Sequence, residues 1–206
     1  MNLRKTIITE EFDYNFLKHV LCQYSNPRVK INDLLKKGEI IRVKKGLYVF
    51  GPDLSRETYS KETLANLIYG PSYISLDYAL SFYCLIPERV ERVTSVTNKR
   101  KKLFHTPVGT FSYTYINPLL YPYGITLYDI DTHHSILIAT REKALSDRVY
   151  FLDRMSGEDE MERYLFEDLR VDREDFAGLN RKRLRKLAGL YGNNVELLYR
   201  ILEREK

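Results

Sequence analysis

Arginine, asparagine and valine on one short helical stretch are side chains that can read the edges of base pairs. They stand in this sequence as Asn26, Arg28, Val29 and Asn32. Arginine can grip a guanine with two hydrogen bonds, asparagine can do the same for adenine, and valine can pack on a thymine methyl. Around them lie cations suited to phosphate oxygens, namely Lys30, Lys36, Lys37, Arg42, Lys44 and Lys45. Phosphate contacts hold a protein in register without specifying sequence. Residues 1–50 hold ten Lys and Arg against five Asp and Glu, and that excess equals the net charge of +5 of the whole chain. The other three quarters are neutral overall. A positive field confined to one segment concentrates a polyanion, whereas a diffuse one mainly keeps a protein soluble. The expected partner of the N-terminal segment is therefore double-stranded DNA.

Catalytic and metal-binding patterns are weaker. The four histidines, His19, His105, His133 and His134, form no HxxxH pair, and the two cysteines form no CxxC. GxSxG, GxxxxGK[ST] and GxGxxG are missing from the sequence. Asp129, Asp131, Glu142, Lys143 and Asp147 could be assembled into a metal-dependent nuclease site, but carboxylates this common specify little. No catalytic residue, metal ligand or cofactor is assigned, and the expectation is a protein that is not an enzyme. Two readings stay open beside DNA binding: a nuclease of that kind, and an interaction module whose basic hairpin docks an acidic protein.

The elements that must position the base-reading residues follow from periodicity. Phe12, Phe16, Leu17, Val20, Leu21 and Tyr24 fall at helical spacing. Asn26 is a natural N-cap and Pro27 suits the first helical position. The spacing predicts a second helix that buries Ile31, Leu34 and Leu35 and ends at Gly38, in left-handed conformation. The period then changes to two over residues 40–43 and 47–50, joined by Lys44-Lys45-Gly46, the pattern of a tight hairpin. Helix, turn, helix and basic hairpin are the order of a winged helix-turn-helix, although its usual third helix could come only from residues 1–11. The recognition helix of such motifs enters the major groove by its early residues. Gly51-Pro52-Asp53 marks the expected boundary between a domain over 1–52 and a second over 53–206.

The second domain reads as α+β. Helices are expected at 59–69 and 75–84, strands at 91–97, 102–106, 110–116, 125–130 and 135–139 in a mostly antiparallel sheet, and helices at about 140–153, 157–169, 173–178, 180–191 and 193–204, the last four forming a helical C-terminal part over about 155–206. Lys99-Arg100-Lys101-Lys102 reads as a solvated hairpin loop, and the basic run at 181–186 as a solvated helix face. Of the 17 tyrosines, Tyr69, Tyr73, Tyr78, Tyr83, Tyr113, Tyr115, Tyr121 and Tyr123 admit two readings, an interface surface or the filling of a two-layer core. Cys22 and Cys84 sit in apolar segments, which predicts two buried, reduced thiols. No apolar run reaches a membrane span and the N-terminus lacks an export signal, so a cytoplasmic address is expected.

Three stretches also resemble a known family. These are RVKKGLYVFGP (42–52), LANLIYGPSYISLDYALSFYCLIPERVERVTSVTNKRKKLFHTPVGTFSY (64–113) and IATREKALSDRVYFL (138–152). Their ordered set is similar to the AbiEi family, the antitoxin and transcriptional-regulator half of abortive-infection, type IV toxin–antitoxin pairs. The resemblance covers about residues 12–152. It implies a winged helix that binds inverted repeats in its own promoter, with a homodimer possible on DNA. It also implies a second domain that opposes a nucleotidyltransferase-like toxin, with no stable complex between the two required. The motifs themselves read as fold determinants: Ser75 and Thr140 as N-caps, and Ala79 as a point of close helix packing.

Overall fold

The computed structural model describes residues 3–205. Residues 3–50 run helix, strand, helix, helix, strand, strand. The helix α1 (Leu3–Thr6) leads into β1 (Glu11–Asp13), and α2 (Tyr14–Val20) follows at once. Asp13 ends the strand and caps the helix, accepting a hydrogen bond from the Phe16 amide at 2.8 Å. Phe12, expected on the helix, therefore stands in the strand opposite Tyr48. Phe16, expected on the buried face, is exposed, while Leu17, Val20 and Leu21 are buried.

The helix α3 (Pro27–Lys36) forms as its residues predict. Asn26 Oδ1 accepts from the Val29 amide at 3.3 Å, and Pro27 fills the first position. At the far end Gly38 adopts φ +72°, the Gly38 amide donates to Leu35 O, and the Glu39 amide donates to Leu34 O. This pair of bonds satisfies the last carbonyls of the helix and turns the chain sharply. It enters a hairpin of β2 (Ile40–Lys44) and β3 (Leu47–Phe50), with Gly46 at φ +88° in the turn. The three strands pair antiparallel in the order β1-β3-β2.

All four residues of β3 are buried, because both faces of this small sheet are covered. Tyr48 and Phe50 join Leu3, Ile7, Phe12, Leu17, Ile31 and Leu34 in an N-terminal core. Leu47 and Val49, on alternate positions and hence the opposite face, join a larger core built by the rest of the chain.

That larger part begins with α4 (Lys61–Ile68), β4 (Ser72–Ile74) and α5 (Leu76–Phe82). Five strands follow: β5 (Val93–Thr97), β6 (Lys102–Thr106), β7 (Gly109–Tyr115), β8 (Ile125–Asp129) and β9 (Ser135–Ala139). The sheet order is β6-β7-β5-β4-β9-β8. Three of its pairings, β4 with β5, β6 with β7 and β8 with β9, are antiparallel as expected, but the sheet is mixed, since β5 lies parallel to β7 and β4 parallel to β9. The parallel pairs arise without helical crossovers beside them: β6 is placed outside β7, so β7 returns alongside β5 in the same direction. The strand β4 has no counterpart in the expected elements.

Helices α6 (Arg141–Tyr150), α7 (Glu158–Arg163), α8 (Arg173–Ala177), α9 (Arg181–Tyr191) and α10 (Asn193–Arg204) complete the chain. A π-helical turn over Tyr164–Asp168 extends α7. Thr140 caps α6 as expected, accepting from the Lys143 amide at 3.4 Å. Ser75 occupies the N-cap position of α5 but makes no cap; its hydroxyl donates to Asp147 Oδ2 at 2.7 Å. Cys22 and Cys84 are free, as expected, but exposed rather than buried. Each lies where a helix has just ended, and Cys84 has φ +56°. Among the described residues no helix is long and apolar enough to cross a membrane.

Candidate nucleic-acid interface

The outward face of α3 is open. Asn26, Arg28, Val29 and Asn32 are all exposed, Val29 by 53%. Such exposure of a β-branched apolar side chain on a helix leaves a contact surface free. Arg28 and Asn32, one turn apart, point toward the hairpin. With Tyr14, Arg42, Lys45, Gly46 and Tyr48 they line a cleft of about 740 Å³. Three cations converge there, and among the described residues no carboxylate lines the cleft. The Arg28 guanidinium donates through Nε to the Tyr14 hydroxyl at 3.3 Å, which holds it at the mouth. The Arg42 guanidinium lies 5.8 Å from the centre of the Tyr48 ring.

The other expected phosphate-binding residues are placed differently. Lys36 and Lys37 are exposed at the end of α3 and do not line the cleft. Lys37 lies 4.0 Å from a Glu39 carboxylate oxygen. Lys30 is half-buried, its ammonium 5.5 Å above the Tyr24 ring. Lys44 corrects the expectation of a free cation at the hairpin tip. Its ammonium donates to Leu67 O at 3.1 Å and to Ile68 O, at the C-terminus of α4. Burial first, and then the neighbouring Lys102 charge, push the Lys44 ammonium below its usual range. Strand alternation would put Arg42 and Lys44 on one face, but the pairing register shifts between them and turns Lys44 away.

Tyr14 and Tyr48 were not among the residues singled out from the sequence. Both enter the cleft through the pairing of β1 with β3, which brings residues more than thirty positions apart into register. Two further groups tie the N-terminal sheet to the rest of the molecule. Glu11 accepts from the Ser60 amide, and its other oxygen receives His134 Nε2 at 3.0 Å. His134 Nδ1 in turn lies 2.7 Å from Asp131 Oδ2. A ring with a carboxylate at each nitrogen donates from both, which is the imidazolium form. Burial alone would lower the His134 pKa, but the hydrogen bonds that the ring donates to Asp131 and Glu11 outweigh it and hold the ring above its ordinary range.

The carboxylates considered for catalysis lie apart. Asp131 faces His134, while Glu142 is buried against Arg183 Nη1 at 2.9 Å. Asp147 is wholly enclosed, with Tyr73 Oη at 2.9 Å and Lys143 Nζ at 3.2 Å. Among the described residues no group of three or more His, Cys, Asp and Glu side chains is arranged to hold a metal ion. Compared with known proteins, the chain matches no family model and no curated protein.

Proposed function

We propose that this protein is a sequence-specific DNA-binding repressor of its own transcription, acting through a winged helix-turn-helix over residues 1–52. One observation carries the reading: the exposed face of α3 and the basic hairpin open into a single cleft lined by Arg28, Asn32, Arg42 and Lys45, with no carboxylate among the described lining residues. The element order and the β1-β3-β2 sheet agree with a winged helix, with α1 as the third helix that the sequence left in question. In this reading α3 enters the major groove, Asn26, Arg28, Val29 and Asn32 meet base edges, and Arg42 and Lys45 approach phosphates of the adjoining backbone. Asn26 spends Oδ1 on its cap, so its amide nitrogen is the group left for a base.

The antitoxin role rests on the resemblance of residues 12–152 to the AbiEi family. In that role the second domain opposes a nucleotidyltransferase-like toxin. Binding of a dye-labelled duplex from the protein's own upstream region, against a scrambled duplex and at several salt concentrations, tests the repressor reading. A preference of at least about 10³ for the upstream duplex with a steep salt dependence supports it. Equal, weak affinity for every duplex refutes it and favours an acidic protein as the partner of the hairpin. For the antitoxin role, rescue of growth when the chain is co-expressed with a neighbouring nucleotidyltransferase-like protein is the expected result.

A further inference from the structure

The C-terminal end of α4 gathers cations from two separate turns. Lys44, from the N-terminal hairpin, donates to Leu67 O and Ile68 O. Lys99, from the turn between β5 and β6, donates to Gly70 O at 2.7 Å. Lys102 places its ammonium 4.9 Å above the ring of Tyr69, whose hydroxyl donates to Arg100 O at 3.2 Å. The last carbonyls of a helix carry partial negative charge, and they offset the repulsion between ammonium groups crowded around them. Lys44 and Lys102 are close enough to feel each other's charge. The helix end thus pins two basic turns side by side.

What the pinning leaves outside is Lys45 on one turn and Arg100 and Lys101 on the other, all exposed. Among the described residues none of the three has a carboxylate partner within 4.0 Å. Two of the clefts around them share residues. Lys45 and Gly46 line both the α3 cleft and a second groove that reaches Leu67. Two residues on, Tyr69 begins a third, shallow groove of about 660 Å³ with Asn98, Lys99, Arg100, Lys101 and Tyr115. Two adjacent exposed cations, Arg100 and Lys101, on a turn held beside a basic hairpin by Lys99 and Lys102 are suited to phosphate oxygens.

We infer that the turn Asn98–Lys101 is a second contact for double-stranded DNA, gripping backbone phosphates of the flank beyond the hairpin and so lengthening the footprint past the winged helix. The inference rests on the repressor reading above. Because α4 holds both turns, the second contact acts at a set spacing from the first, and it adds affinity without adding base discrimination.

Fluorescence anisotropy with the dye-labelled upstream duplex tests this, using one long form and one trimmed at the hairpin-side flank, with oligothymidylate as the single-stranded control. The variant carries Arg100→Ala and Lys101→Ala, both on exposed positions, and circular dichroism melting checks that the fold is kept. On the long duplex the slope of log affinity against log salt should become shallower by about 2, so the loss of affinity between 50 and 200 mM salt should be roughly tenfold smaller than in the parent. The preference for upstream over scrambled sequence should stay unchanged, and on the trimmed duplex parent and variant should bind alike. An unchanged salt slope on the long duplex overturns the inference, as does a loss confined to oligothymidylate, which would assign the tyrosine-bordered groove to single strands. A parent that prefers no duplex sinks the repressor reading itself, a failure visible before this turn is altered.

Discussion

Replacing Asp147 by Asn should cost this protein a large share of its stability, and the cost should be repaired by a second change nearby. Asp147 and Lys143 are both fully buried, one helical turn apart on α6. The carboxylate accepts from Tyr73, Ser75 and Tyr191, while the ammonium reaches Leu120 O at 2.9 Å and the Tyr191 hydroxyl. Burial pushes the Lys143 ammonium down, and Asp147 pulls it part of the way back. Removing one partner of a buried pair costs roughly 3–5 kcal/mol, because the survivor stays desolvated and uncompensated. At a urea dependence of about 2 kcal/mol/M, that moves the unfolding midpoint of Asp147→Asn down by about 2 M. The chain has no tryptophan, so tyrosine emission and far-ultraviolet circular dichroism are the probes. In Asp147→Asn the folded state disfavours a proton on Lys143 that the unfolded chain still binds up to its ordinary value of 10.5. The variant should therefore gain stability as pH rises toward that value. Adding Lys143→Met should remove this slope and recover a good part of the loss, since apolar residues can replace a buried ion pair at little cost. A midpoint shift below about 0.5 M in the single variant, or a double variant no more stable than the single, would refute the reasoning.

Three other outcomes follow from the same geometry. Arg28→Ala should weaken binding to the upstream duplex by about 1–3 kcal/mol and relax the preference for it, whereas Lys45→Ala should weaken all duplexes alike; equal behaviour of the two would misplace the reading face. The pKa of His134 is raised in the folded state, so its contribution to stability is complete below its ordinary value of 6.5 and is lost as pH rises through the raised one. Urea unfolding at pH 6 and pH 9 should show this loss in the parent and not in His134→Gln; the same pH dependence in both would break the link to the Glu11 clasp. Gly51→Ala should destabilise the N-terminal sheet by at least about 1–3 kcal/mol, because a Cβ there would stand 1.8 Å from Gly38 O, which is backbone and cannot rotate away. Thermal melting checks it, and an unchanged Tm would show that the turn can open at no cost.

Features set by neighbours in the chain were the ones the sequence made legible. Asn26 and the Gly38 turn delimit α3 through hydrogen bonds to residues within five positions, Pro27 sets its first turn by its fixed φ, and Thr140 starts α6 as Asn26 starts α3. The strands β5 to β9 announce themselves by β-branched and aromatic runs. Three-residue strands cannot: β1 and β4 are too short to show an alternation, and Phe12 happens to fall in phase with the helix behind it. Of the candidate site, Arg28, Asn32, Arg42 and Lys45 converge, while Lys44 does not, since a register shift in β2 is invisible in residue types. Ser75 carries the sequence mark of a cap, yet a carboxylate 72 positions away takes its hydroxyl. The tyrosines divide: Tyr73 and Tyr113 are buried, while Tyr115 and Tyr128 are exposed.

The two-sided burial of β3 ties the head of the molecule to its body. Val43, Leu47 and Val49 give their side chains to the larger core, so a fragment cut at Gly51 would carry a greasy, unroofed back where the intact chain has none. Such a fragment would clump or recruit a substitute cover, and the head cannot tilt as a free hinge without prising apart the packing behind it. Whatever grips the hairpin from outside is therefore gripping a lever whose other arm lies inside the second half of the protein.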